Sequence, residues 1–213
     1  MIKSFLLLIV GFACLLVHDQ SFASEKLLNQ FFKQVGAMSA HFEEQIVDDR
    51  GMTLEKNSGE FHFLRPGKFL WDYDSLEPEI IEQGKKIIAD GRVITMYDPD
   101  LESATQFSMS NALSQVPTLI LVQGGGNIEE HFTVVDVGLT DGLSWVTLRP
   151  IDEDAGFQQL MLGFSGEFLK NIIFIDAFSN ETKLKLSNVK NNPNLTSNMF
   201  DFRAPEGTDI EVR

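Results

Sequence analysis

Apolar residues change their spacing along the chain, and each change marks an element. Leu27, Leu28, Phe31, Phe32 and Val35 recur at helical intervals behind Ser24, a suitable cap. They predict an amphipathic helix over residues 25–38. From Ser39 the period falls to two. Strands are expected over residues 39–50 and 53–64, with a hairpin at Gly51. Residues 60–74 then read as two strands joined at Pro66-Gly67, because proline presets φ and glycine tolerates positive φ. Phe61 and Phe63 share one face of the first strand; Phe69, Trp71 and Tyr73 share one face of the second. Between these aromatic rows stands Arg65, held extended by the proline that follows it.

Further on, residues 79–83 and 85–90 are short strand candidates, and Gly91-Arg92 turns into a strand over 93–97. The pattern breaks over residues 99–123, where Ser110-Asn111-Ala112-Leu113 and the run from Pro117 to Val122 predict two short helices. The second, with Leu119, Ile120 and Leu121, is apolar almost all round and stops at Gly124-Gly125-Gly126. A helix of that kind must be covered or must cover something. Strands resume over 131–137, 142–149, 157–164, 168–178 and 181–189, and a last one is expected over 199–203. The short turns between them imply antiparallel neighbours. Ile172 and Phe174 face one way, Ile173 and Ile175 the other, so that strand is expected to be covered on both faces. The fold class is therefore mainly β: an antiparallel sheet long enough to curl, with an N-terminal helix and two short central ones.

The leading segment reads differently. Lys3 precedes an apolar run over residues 5–17, and Ser21-Phe22-Ala23 offers small residues for cleavage. This is the pattern of a secretory signal peptide, which predicts export and a mature chain from Ser24. The expected division is a signal over residues 1–23 and one domain over 24–213. The single cysteine, Cys14, lies inside the apolar run, poorly placed for lipidation, so the mature chain would carry no thiol.

Composition narrows the function. The net charge is −14, and 43% of residues are hydrophobic, with eighteen phenylalanines beside two tryptophans and two tyrosines. A phosphate backbone rewards lysine and arginine, so nucleic acid is excluded as a partner. Phenylalanine brings bulk without a polar group to satisfy, which suits a wide apolar interior. His41, His62 and His131 show no ligand spacing, no Gly-x-Ser-x-Gly elbow occurs, and the glycine triplet lacks a phosphate-loop ending. No metal, no cofactor and no enzyme chemistry are expected.

Arg65-Pro66-Gly67-Lys68-Phe69-Leu70-Trp71 resembles the Arg-Pro-x-x-Phe-x-Trp signature of the periplasmic outer-membrane lipoprotein carrier family, LolA. Ala89-Asp90-Gly91-Arg92 with Tyr97-Asp98-Pro99, the run from Pro117 to Leu121, Leu148-Arg149-Pro150, and Phe200-Asp201-Phe202 leading to Pro205-Glu206-Gly207 are similar in the same order. The resemblance implies an unclosed antiparallel β-barrel, a half-barrel whose helical lid covers an apolar cavity for acyl chains. It implies acylated lipoproteins as cargo, an inner-membrane ATP-driven release complex as donor, an outer-membrane lipoprotein receptor as acceptor, a monomer, and no cofactor. It assigns to Arg65 the latch that holds the lid over the empty cavity, and to Phe69 and Trp71 places in the cavity wall. Phe61, Phe63, Tyr73, Leu119, Ile120 and Leu121 complete the expected acyl-chain cavity. One departure stands out: Ile94-Thr95-Met96-Tyr97 has no tryptophan where the family usually has one. Two other readings stand beside it: the outer-membrane receptor of the same fold, which should be lipidated, and, from another class, a periplasmic regulatory sensor of lipid or mislocalised lipoprotein, which usually carries a further C-terminal domain.

Overall fold

The structure, a computed structural model, describes residues 23–75, 84–109, 118–124 and 128–213. Its centre is one sheet of 12 strands. The helix α1 (Ala23–Gln34) leads into β1 (Ala37–Val47), β2 (Thr53–Leu64), β3 (Lys68–Tyr73), β4 (Lys86–Asp90), β5 (Val93–Asp98) and β6 (Ser103–Ser108). Two short helices follow, α2 (Leu119–Gln123) and α3 (Ile128–His131). Then come β7 (Phe132–Thr140), β8 (Leu143–Pro150), β9 (Phe157–Ser165), β10 (Phe168–Asp176), β11 (Glu181–Asn191) and β12 (Asp209–Val212).

The spatial order is β12-β6-β5-β4-β3-β2-β1-β11-β10-β9-β8-β7. Neighbours are antiparallel except β12, which runs parallel to β6. The edge strands β12 and β7 do not pair with each other, so the barrel is unclosed. The expected mainly β fold with covering helices is what the chain adopts. The connection from β6 to β7 carries the chain from the strand beside one edge of the sheet to the opposite edge. That path lays α2 across the inner face.

Register gives the inner face a gradient along the strands. One cross-strand row is Met38, Phe63, Phe69, Ala89, Ile94 and Phe107, all buried. The next is Ala40, Phe61, Trp71, Ile87, Met96 and Thr105. Then come Phe42, Gly59 and Tyr73, and beyond them Glu44 opposite Asn57. Period-two alternation aligns these rows. The apolar rows lie toward the Arg65 turn; the polar row lies at the opposite end of the barrel.

Several expectations need correction. Residues 103–108 form strand β6, hidden in the sequence because its inner positions Ser103 and Thr105 are polar. The strand expected over 199–203 is absent: Ser197–Phe200 is a 3-10 turn. Its Phe200 packs on Leu70 and Ile88 on the outer face, which is why that segment follows the sheet surface instead of extending it. The final strand is β12, six residues beyond Arg203. On β10, Ile172 is buried, but Ile173 and Ile175 are only half-buried, so the outer face there is not fully covered. The helix expected to reach Met38 ends at Gln34, and Met38 already belongs to β1. The strand candidate at 79–83 and the helix at 110–113 lie outside the described residues.

Candidate functional site

Arg65 occupies the turn between β2 and β3, where Gly67 takes φ +72°. Its backbone N–H donates to Gly36 O at 2.8 Å, and the Gly67 N–H donates to Val122 O at 2.9 Å. The turn is thereby tied to the end of α1 and to α2 at once. The guanidinium does the same with its side chain. Nε and Nη2 donate to Leu121 O at 2.9 and 2.6 Å. Nη1 donates to Phe32 O at 2.9 Å, Val35 O at 2.5 Å and, more distantly, Phe31 O at 3.3 Å. Carbonyls in the last turn of a helix have no intrahelical partner and carry its negative end, so a cation with several donors suits them. The Arg65 Cζ also sits 5.1 Å from the ring centroids of Phe31 and Phe32, and 5.2 Å from that of Phe63.

Every partner of the Arg65 side chain named here is a carbonyl oxygen or an aromatic face. Burial lowers its pKa to about 10, which leaves it charged at neutral pH. The planar fork lets one side chain hold two helices, which a point-charge ammonium cannot do. The acceptors on α1 escaped the sequence reading, since they depend on where that helix crosses the sheet.

The expected cavity residues come together on the inner face. Phe61, Phe63, Phe69 and Trp71 are buried in one cluster with Leu119, Ile120 and Leu121 of α2, and Tyr73 packs half-buried against it. Phe61 and Trp71 stack at 3.9 Å. Gly124, at the end of α2, takes φ +89° and lies against the Arg65 side chain, where a Cβ would sit 3.7 Å from Cδ. Among the described residues, α2 packs directly on the aromatic rows at this end of the barrel.

Phe42, which the sequence reading missed, closes the cluster on the other side. Its ring lies edge-on to Trp71 at 4.9 Å and to Tyr73 at 5.1 Å. It reaches Tyr73 across Gly59, whose lack of a side chain makes that approach possible. Beyond this wall the barrel opens into a hollow of about 1020 Å³. Of the expected cavity residues only Tyr73 lines it. Glu44 lines it, accepting a hydrogen bond from Asn57 Nδ2 at 2.8 Å. Burial, above all, raises the Glu44 pKa above the usual carboxylate range, against the pull of the Asn57 bond. Burial and then the Glu44 carboxylate push the Tyr73 phenol up. Among the described residues, no three His, Cys, Asp or Glu side chains come together as metal ligands would, and no helix is long and apolar enough to cross a membrane.

A roofed apolar interior under an arginine clamp is the arrangement the signature at Arg65 leads one to look for. The family model of the outer membrane lipoprotein carrier protein LolA matches residues 33–203. This chain belongs to that family. The outer-membrane lipoprotein carrier protein of Methylobacillus flagellatus is 36% identical over 183 residues, covering 86% of this chain and 86% of that protein. The carrier of the same name from Nitrosomonas europaea is 31% identical over 206 residues, covering 96% and 97%. In fold, a conserved, uncharacterized protein of Thermus thermophilus superposes with a TM-score of 0.53 at 14% identity, over 90% of this chain and 99% of that one. The family match takes in Arg65, Leu121 and the sheet from β1 to β11; it begins at the last two residues of α1, after Phe31 and Phe32, and ends before β12. The family is one of carriers, not of enzymes.

Proposed function

We propose that this chain carries acylated lipoproteins through the periplasm, taking them from an inner-membrane ATP-driven release complex and handing them to an outer-membrane lipoprotein receptor. The mature carrier is a monomeric single domain over residues 24–213, released from its signal peptide by cleavage after Ala23. The observation that supports this reading most is the pairing of an apolar interior with a roof held by one side chain. Each buried methylene is worth about 0.8 kcal/mol, so an anchor with dozens of them needs a substitute for lipid while it crosses water. Phe61, Phe63, Phe69, Trp71 and Tyr73 on the sheet, with Leu119, Ile120 and Leu121 on α2, are the surfaces assigned to the acyl chains. They offer non-directional contact, which suits cargo that must later leave.

Because α2 packs directly on the aromatic rows, acyl chains enter only if α2 moves away. Arg65 is the latch. Its bonds to Leu121 O break on opening, and apolar area that would otherwise aggregate stays hidden while the carrier is empty. The test is co-purification from a periplasmic extract: the mature protein should bring down acylated lipoproteins and leave behind forms lacking the acyl chains. Equal recovery of both forms, or of neither, would refute the reading.

A further inference from the structure

The hollow beyond Phe42 differs in chemistry from the closed end. The row through Phe63 and Phe69 has no side-chain hydrogen-bond donor, and in the row through Phe61 only Trp71 and Thr105 carry one. Around the hollow stand Asn57 on β2, Lys85 just before β4, and Ser103 and Thr105 on β6. Asn57, Ser103 and Thr105 are half-buried, while Lys85 is exposed and paired with Asp98 at 3.1 Å. Ile87 and Met96 continue the apolar surface of the interior into it, so the two chemistries meet there.

A lipoprotein anchor has the same sequence of chemistries along its length. Its acyl chains end in ester and amide carbonyls at the modified cysteine, and the peptide then has to leave into water. Those carbonyls accept hydrogen bonds and donate few, and leaving buried polar groups unpaired is costly. We propose that the hollow binds this polar junction of the cargo, its glyceryl-ester and amide carbonyls facing Asn57, Lys85, Ser103 and Thr105, while the acyl chains lie past the Phe42 wall among the aromatic rows. The inference rests on the carrier reading and assigns a second, polar subsite to it. Glu44 acts here as a positioning residue. It holds the Asn57 amide in place by one N–H and leaves the other for cargo.

Binding of two probes to the mature protein by titration calorimetry separates the possibilities: a synthetic S-dipalmitoylglyceryl-cysteine peptide, and palmitate. Asn57→Ala and Thr105→Val remove donors from opposite walls, so if one variant fails to fold the other still decides. Each should weaken lipopeptide binding by roughly five- to tenfold, the effect of one lost hydrogen bond, with palmitate affinity changed less than about twofold. Unchanged lipopeptide affinity, or equal loss for both probes, would overturn the polar subsite and leave the carrier reading standing. A wild-type protein that binds neither probe would overturn the carrier reading, and the subsite with it.

Discussion

Two nitrogens of Arg65 converge on a single acceptor, the carbonyl oxygen of Leu121, at 2.9 and 2.6 Å. The third nitrogen faces the other way, to the end of α1. α1 runs on within two residues into β1, whereas α2 meets this turn through Leu121 O and through Val122 O, which accepts from Gly67 N–H. Removing the guanidinium should therefore loosen α2 first. Charge-assisted hydrogen bonds are worth about 1.5–3 kcal/mol each. In Arg65→Leu, the Gly67 amide should exchange with solvent at least about tenfold faster, while the Ile172 amide in β10 keeps its protection. Arg65→Lys should behave like Arg65→Leu, because one ammonium cannot span both helices. Unchanged Gly67 exchange in both variants would remove the latch.

Gly59 leaves no room for a side chain between Phe42 and Tyr73. A Cβ built there would run into Asp72 O and would meet Phe42 Cε1 at 2.9 Å and Tyr73 Cα at 2.9 Å. Two of these are backbone atoms and cannot rotate aside. At Gly163 the neighbour is the Trp145 indole, at 3.0 Å, a side chain that can shift. Gly59→Ala should cost about 1–3 kcal/mol or more, and clearly more than Gly163→Ala. Urea midpoints of the two variants check the order.

Asn192 fixes the junction between α1 and β1 from the far side. Its Oδ1 accepts from Gly36 N–H at 2.8 Å and Ala37 N–H at 3.3 Å, and its Nδ2 donates to Gln34 O at 2.9 Å. It sits at φ +54°, a conformation asparagine tolerates better than most residues. These groups are near the surface, where water can replace part of the loss, so Asn192→Gly should cost only about 1 kcal/mol. Asn192→Ala should cost more, through backbone strain. Thermal midpoints, with faster exchange at the Gly36 amide, measure both.

The parts of this fold that were legible in the sequence are those where one face is apolar. α1 and the hairpin of β2 and β3 announce themselves through spacing, through Pro66-Gly67 and through the aromatic rows. β6 was illegible because Ser103 and Thr105 face the hollow, where polarity is tolerated inside a strand. β12 was illegible because four exposed residues at a sheet edge carry no periodic signal. Arg65 was visible as an arginine beside aromatics, but its acceptors are backbone carbonyls, which no side-chain pattern encodes. Phe42, Glu44 and Asn57 looked like ordinary members of alternating strands. Only the register of β1 on β2 puts them at the boundary between the closed interior and the hollow.

That boundary should make stability depend on pH in a particular direction. Burial raises the Glu44 pKa, so the folded protein binds its proton more tightly than the unfolded chain does. Below the ordinary carboxylate range both states hold the proton, and Glu44 costs nothing. As pH rises from that range through the raised value, the unfolded chain ionises first, and the folded state loses stability relative to it. Above the raised value the penalty is fully present. Glu44→Gln keeps the shape and an acceptor for Asn57, and it has no proton to lose. Its thermal midpoint should match the wild type near pH 4 and exceed it increasingly toward pH 7. The reverse trend, with the variant falling behind as pH rises, would mean that the charged carboxylate is held by its hydrogen bonds more strongly than burial opposes it.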